Sequence, residues 1–469
     1  MSAYQRDRRR ANFHDGSLLQ KRRGHALGWL GSSFFAQNRR KLSLFDSTMR
    51  ALDAKTKSKN RRMPRFVVAC SALVGLLACG VNRSTPPISG MSTKTENTTD
   101  GAADPFTFDH WESSTWSPRV TEVPESLVWL QSRCGKPDSA LQSVAQRLAR
   151  DTGFGTRPDD LDRLAFALRA SGSPYVWPRA WRMPLNHDFT EEEVVSHFDN
   201  WMRSFDDGGE RRCGLARIRT QSGVTYAAVA SDVVADLVEP LPTRARTGQW
   251  LSLRVKLLQE ATEAKVVVEG TRNEPAFIPA SVIDGEVLAR FPVMGPGPWL
   301  VQVLATMNTG PRPVIDAELV ADEMPPKTLR SQRAPGESAS SQGQDLAESL
   351  LAMLNAARAE VGRKPLVQDA RLNRVATEHA MAMLAAGRVG HDVGDGSPRS
   401  RMENAGIFAA LAGENVAHAA DTVRTHRALW ASPSHRSNIL HRGFRNVGLG
   451  VVRGPDDTVW TCELFAALD

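Results

Sequence analysis

Gly390-His391, then Gly413-Glu414-Asn415, then Trp430-Ala431-Ser432-Pro433-Ser434-His435-Arg436-Ser437-Asn438-Ile439-Leu440 decide how this chain folds, because each cluster sets chemistry beside a turn former. The elements around them follow from their own residues. Asp345-Leu-Ala-Glu348 has the form of a capping box, so a helix is expected to start there, with Leu350, Leu354, Ala357 and Val361 on one apolar stripe and Gly362 at its end. A second helix is expected over 369–386, stopped by Gly387, and a third after Asp421 through Trp430. Val447, Leu449 and Val451 alternate, Gly454-Pro455-Asp456-Asp457 turns, and 459–465 returns as a hairpin partner. The expected result is an α/β fold with a sheet between helices. His391 falls in the loop after the second helix, Glu414 in a turn before the third, and His435 in the loop after it.

From about Asp345 to Ala466 the ordered clusters resemble the CAP superfamily, the SCP-like extracellular domain of cysteine-rich secretory proteins, venom antigen 5 and plant pathogenesis-related proteins. The similarity is to its short, cysteine-poor bacterial branch. The resemblance implies an α/β/α sandwich (CAP fold) in which His391, Glu414 and His435 line one binding cleft. A second acidic residue common in the family is replaced here by Ser432 or Pro433, leaving a triad. His391, Glu414 and His435 are also the candidates for catalysis, and His391 and His435 for holding a divalent metal such as zinc. The plainer reading is that the two imidazoles hydrogen-bond to Glu414 and fix the cleft. Asn415, Arg436 and Asn438 are expected to satisfy backbone groups at turns, with a contact from Arg436 to an anionic ligand as the lesser reading.

The other three quarters of the chain divide by composition. With 469 residues there is room for about three domains. The net charge of +7 sits at the front, where residues 1–62 hold 16 Lys/Arg against 4 Asp; from Cys79 onward the chain is acidic. A nucleic-acid partner needs a concentrated basic surface, so none is expected. Phe66 to Ala78 is uncharged, too short to span a bilayer and of the length of a signal-peptide core. It ends in Leu76-Leu77-Ala78-Cys79-Gly80, which resembles a bacterial lipobox with Cys79 as the lipidated residue. On this reading 1–62 is an extension upstream of the true start at Met49 or Met63, 63–79 is the lipoprotein signal, and 80–119 is a disordered tether. The protein would be anchored to the membrane through the lipid on Cys79, outside the cytoplasm, at the cell envelope. Cys70 leaves with the signal; of Cys134, Cys213 and Cys462, only Cys134 with Cys213 is entertained as a bridge.

Residues 241–322 carry short alternating runs between Gly/Pro turns, which predicts a small all-β sandwich, and 324–344 reads as a linker to the C-terminal domain at 345–469. Residues 120–236 echo that domain. Leu141-x-x-Val144-Ala145 recurs as Leu372-x-x-Val375-Ala376, and Val194-x-x-His197-x-x-x-Trp201 as Val423-x-x-His426-x-x-x-Trp430, with gaps of 53 and 51 residues. Cys213-Gly214-Leu215-Ala216 echoes Val447-Gly448-Leu449-Gly450. This predicts a degenerate CAP-like α/β domain in which His197 and His426 are shared packing residues. By offset, Asp160, Leu185 and Asp206 stand where the trio stands later. The expected role is binding of a lipid or cell-wall ligand. A divalent-metal-dependent hydrolase of peptide or glycan is the second reading and a structural adhesion module the third.

Overall fold

The computed structural model describes residues 104–114, 122–155, 160–185, 190–203, 205, 208–220, 223–270, 274–330, 333–341 and 345–468. The signal, the lipobox with Cys79, and most of the tether lie outside these residues, as does Asp206.

The first α/β unit runs α1 (Val128–Cys134), β1 (Lys136–Pro137), α2 (Ser139–Arg150), α3 (Asp160–Ala170), β2 (Arg179–Leu185), α4 (Glu191–Met202), β3 (Glu210–Thr220) and β4 (Gly223–Val233). A β-sandwich follows, built from β5 (Ala235–Leu237), β6 (Arg244–Ala245), β7 (Trp250–Leu257), β8 (Glu263–Glu269), β9 (Ala276–Ile278), β10 (Ala280–Ile283), β11 (Glu286–Pro292), β12 (Gly297–Met307) and β13 (Gly310–Ala321). The second α/β unit is α5 (Leu346–Glu360), β14 (Val367–Gln368), α6 (Ala370–Ala386), α7 (Pro398–Asn404), β15 (Leu411–Ala419), α8 (Thr422–Ala431), α9 (Pro433–Leu440), β16 (Asn446–Arg453) and β17 (Val459–Ala467).

The two α/β units have the same sheet topology, β1-β3-β4-β2 and β14-β16-β17-β15. In each, the short first strand pairs in parallel and the remaining pairs are antiparallel. The agreement reaches single bonds. Asp138 caps α2 through Leu141 N–H and its own N–H donates to Cys213 O; Asp369 caps α6 through Leu372 N–H and its N–H donates to Val447 O. A Cβ on Gly214 would lie 2.0 Å from the α2 backbone, and one on Gly448 2.2 Å from the α6 backbone. Only glycine lets helix and sheet approach so closely.

In the second unit, Leu350, Leu354 and Ala357 of α5 are fully buried with α8 and α9 on one sheet face, while Leu372, Val375 and Ala376 of α6 cover the other. That is an α/β/α sandwich. Asp345 caps α5 and Gly387 ends α6 in the left-handed region at φ 63°. Glu348 is exposed and does not close a capping box; the box that does form is Thr190 with Glu193 at α4.

The sandwich packs β10-β11-β7-β5 on β6-β13-β12-β8-β9 over a shared Val/Leu/Phe core. Strand β7 alternates exposed and buried throughout, the pattern of a sheet with one wet face.

Several expectations need correction. The sandwich starts at Ala235, not 241, because β5 pairs with β7. The tether expected to 119 is ordered over 104–114, where Phe106, Phe108 and Trp111 bury against α2 and α3. The segment expected as a linker is packed as well: Pro326 and Lys327 carbonyls accept from Trp111 and Phe108, Ala334 is buried under α5 and α8, and Glu337 makes a two-pronged pair with Arg427. Polar composition suggested a flexible segment; a few anchoring residues override it. Cys134 and Cys213 form a disulfide that ties α1 to β3 across 79 residues.

Candidate functional site

Glu414 lies on β15, paired with Leu464 of β17, not in a turn. Gly413 had suggested the turn; it is needed because a Cβ there would sit 2.7 Å from the Phe444 ring. The Glu414 side chain is 1% exposed, a position where an ionised carboxylate survives only with partners. It has them. Oε1 accepts from His391 Nδ1 at 2.8 Å, and Oε2 accepts from the Arg401 guanidinium and from the Cys462 thiol at 3.4 Å. Burial alone would raise its pKa, but the His391 hydrogen bond and the charges of His391, Arg401 and His379 outweigh it, so the carboxyl is held below its ordinary range.

His391 sits in the loop between α6 and α7, as expected. That loop is held from below by His379, a fully buried residue of α6 whose ring faces Asp395 through Nδ1 at 2.7 Å and the Gly390 carbonyl through Nε2 at 3.0 Å. Arg401 of α7 also donates to the carbonyls of His391 and Gly396. Sequence reasoning missed Arg401 and His379, and Asp395, beside a Gly-rich loop, reads as a solvated turn carboxylate where the structure pairs it with His379. Arg401 stands in a Ser/Gly/Pro-rich stretch that reads as solvated; the signal available was Ser397-Pro398, an N-cap with proline at the first helical position, which places Arg401 on a helix.

His435 is in the first turn of α9 rather than in a loop. Asn415 and Asn438 lash α9 to β15: Asn415 Nδ2 donates to the His435 carbonyl, and Asn438 Nδ2 donates to the Glu414 carbonyl and to Asn415 Oδ1. His435 therefore comes within electrostatic reach of His391, and burial together with repulsion from His391 lowers its pKa to about 3. Its ring is neutral near pH 7. Among the described residues neither ring nitrogen of His435, nor Nε2 of His391, bonds to a protein group.

Arg436 is anchored inside the protein: it donates to the Trp430 carbonyl, lies 4.8 Å over the Trp430 ring and pairs with Glu269 of the sandwich. This leaves no free charge for an anionic ligand. His426 is a packing residue, donating to the Pro335 carbonyl, but its counterpart His197 is exposed, and Phe198 takes the buried place on α4.

The residues do not fit a catalytic zinc. Such sites take three protein ligands, and the carboxylate meant as the third is occupied on both oxygens by Arg401 and His391. Among the described residues no group of three His, Cys, Asp or Glu is arranged to hold a metal. A nucleophile is also wanting: among the described residues no hydroxyl or thiol bonds to either ring, and the Cys462 thiol is buried, its pKa pushed far up by burial and by Glu414. The arrangement offers a ligand the ring nitrogens of two imidazoles.

Residues 351–464 match the sequence model of CAP, the Cysteine-rich secretory protein family. Over 120 residues the chain is 32% identical to the uncharacterised protein YkwD of Bacillus subtilis (strain 168), covering 25% of this chain and 46% of the relative, so it spans about half of that protein's length. Among solved structures it is similar to an outer surface protein of Borrelia burgdorferi, with 20% identity, 26% of this chain and 92% of that one covered, and a TM-score of 0.25. It is also similar to an extracellular protein containing a SCP domain from Bacillus anthracis str. Ames, with 19% identity, 38% and 63% covered, and a TM-score of 0.25. The family match spans the helices and hairpin that carry His391, Glu414 and His435, and residues 351–464 of the second α/β unit are a bacterial CAP superfamily domain.

Proposed function

We propose that this protein is a lipid-anchored envelope protein that binds a lipid or cell-wall ligand in the cleft of its C-terminal CAP domain. One observation carries the reading: two imidazoles within electrostatic reach of each other, His391 and His435, present ring nitrogens that have no protein partner among the described residues, near a carboxylate satisfied internally by Arg401 and His391. Such a site recognises without reacting. The Cys134–Cys213 disulfide supports an oxidising compartment, and the lipobox ending in Cys79 supports the anchor. Among the described residues no helix is long and apolar enough to cross a membrane. The first α/β unit is, on this reading, a site-less counterpart of the second.

The test uses the chain from residue 79 onward, incubated with insoluble cell-wall sacculi and, separately, with phospholipid vesicles. Retention on one of the two, lost in His391→Ala/His435→Ala, is the expected result. No retention on either overturns the reading, and retention that the double variant leaves unchanged points to an adhesion module that does not use the cleft. Mass spectrometry of the mature N-terminus tests the anchor: a lipid on Cys79 is expected, and an unmodified N-terminus upstream of Met63 refutes it.

A further inference from the structure

The two segments that carry the imidazoles are 44 residues apart in sequence, and both rest on one sheet of the β-sandwich. The Thr309 carbonyl, in the turn between β12 and β13, accepts from the N–H of His391 at 3.1 Å and of Asp392 at 3.2 Å. Next to it, Gly310 has φ 94°, and a Cβ there would lie 2.7 Å from the His391 Cβ. At the other segment, Gln302 of β12 donates to Ser432 Oγ at 3.4 Å and accepts from the Ser434 N–H at 3.2 Å, so it grips the start of α9 immediately before His435. Glu269 of β8 pairs with Arg436, the residue immediately after.

These contacts have an unusual composition for a domain boundary. Gln302 is 2% exposed and Glu269 3%, both in strands whose other buried positions carry no polar side chain. One oxygen of Glu269 is buried with no hydrogen-bond partner, and burial pushes its pKa up to about 7 despite Arg436. An unsatisfied buried oxygen is destabilising, and an apolar pair would avoid it. Stability alone does not account for these residues. Strands β13, β12 and β8 are neighbours in a single hydrogen-bonded ladder, so the distance between their contact points is fixed by the sheet.

We infer that the β-sandwich is a working part of the cleft: Thr309, Gln302 and Glu269 are positioning residues that set the spacing between His391 and His435. Its status as a cleft rests on the binding role proposed above, but the geometry can be tested without any ligand. It follows that the CAP domain cut away from the sandwich presents a loosened pair of imidazoles.

The experiment is residue-resolved amide hydrogen exchange on the ligand-free whole chain, wild type against Gln302→Leu and Gln302→Glu. The leucine keeps the bulk and loses the acceptor; the glutamate keeps the acceptor. We expect slow exchange at His391, Asp392 and Ser434 in the wild type. Gln302→Leu should speed Ser434 about tenfold, the worth of one hydrogen bond of roughly 1.4 kcal/mol, and shift the His435 ring resonances. Gln302→Glu should restore both. A leucine variant with wild-type exchange and ring shifts overturns the inference, as does a glutamate variant that fails to rescue. Should the leucine variant not fold, the wild type decides, since unprotected amides at His391, Asp392 and Ser434 contradict the docking outright. Exchange that behaves as expected in a protein that binds neither sacculi nor vesicles would leave the positioning intact and refute only the binding role.

Discussion

The two α/β units share strand order, helix caps and the glycine against the central helix, yet they differ at the place where chemistry could occur. Strand register makes the comparison residue by residue. Gly448 pairs with Leu464 and Leu464 with Glu414; Gly214 pairs with Val229 and Val229 with Ala180. Ala180, not Leu185 as the sequence offset suggested, therefore stands at the place of Glu414. The missing carboxylate is only part of the difference. Between α8 and β16 lie residues 432–445, which hold α9 with His435 and Arg436; between α4 and β3 lie only residues 203–209. An eight-residue helix does not fit there, and the element that brings the second imidazole is absent. One unit is scaffold held by a disulfide, and the other is scaffold with a charge-compensated site.

The largest expected effect is at Arg401. Removing it leaves the buried Glu414 with His391 and Cys462 as its remaining partners and Oε2 without its cation, which costs up to about 3–5 kcal/mol, so Arg401→Ala should lower the denaturation midpoint of the second unit steeply. Glu414→Gln added to it should recover much of the loss. If Arg401→Ala is neutral in urea titration, the account of the carboxylate is wrong. Next is the disulfide, which joins residues 79 apart: Cys134→Ala/Cys213→Ala should cost about 2–4 kcal/mol, the typical worth of a native bridge. That loss should appear in the first unit while ring resonances of His391 and His435 stay in place. Movement of those resonances would mean the two units are coupled through the site.

A third effect depends on pH. Glu463, fully buried on β17 with one oxygen unpartnered, has its pKa pushed up to about 7 by burial. A carboxyl raised from the ordinary 4.5 favours folding below that value, and the contribution is lost as pH rises through about 7. Glu463→Gln, which keeps an acceptor for Asn415, should therefore gain up to about 2–3 kcal/mol over wild type at pH 8 and little at pH 4. A gain independent of pH would contradict it. The smallest effect is the shared one. Gly214→Ala and Gly448→Ala should each cost about 1–3 kcal/mol by forcing helix from sheet, and a large effect in one unit only would break the structural parallel.

Much of the scaffold could be read from the residues because its signals are local. Asp345, Asp369 and Asp421 cap their helices, Gly387 stops one, and the β16–β17 hairpin alternates around its turn. Strand β15 was not legible, since Gly413-Glu414-Asn415 carries turn chemistry and becomes a strand only by pairing with β17. The partners of Glu414 were half legible: His391 by motif, Arg401 not, because a buried guanidinium in a polar loop looks like any solvated one. Contacts such as Gln302 to Ser432 span 130 residues and leave no periodicity behind. Nothing local could have announced that the sandwich touches the site.

The central claim is that Glu414 is satisfied inside the protein while His435 stands neutral within electrostatic reach of His391. A neutral ring with a pKa lowered from 6.5 to about 3 contributes stability above pH 6.5 that is lost as pH falls toward 3. The direct measurement is the His435 ring proton shift of the whole chain, followed by NMR from pH 8 down to pH 4. A buried, neutral His435 gives a nearly flat curve through pH 6.5; a full titration with its midpoint near 6.5 means the ring is not held neutral.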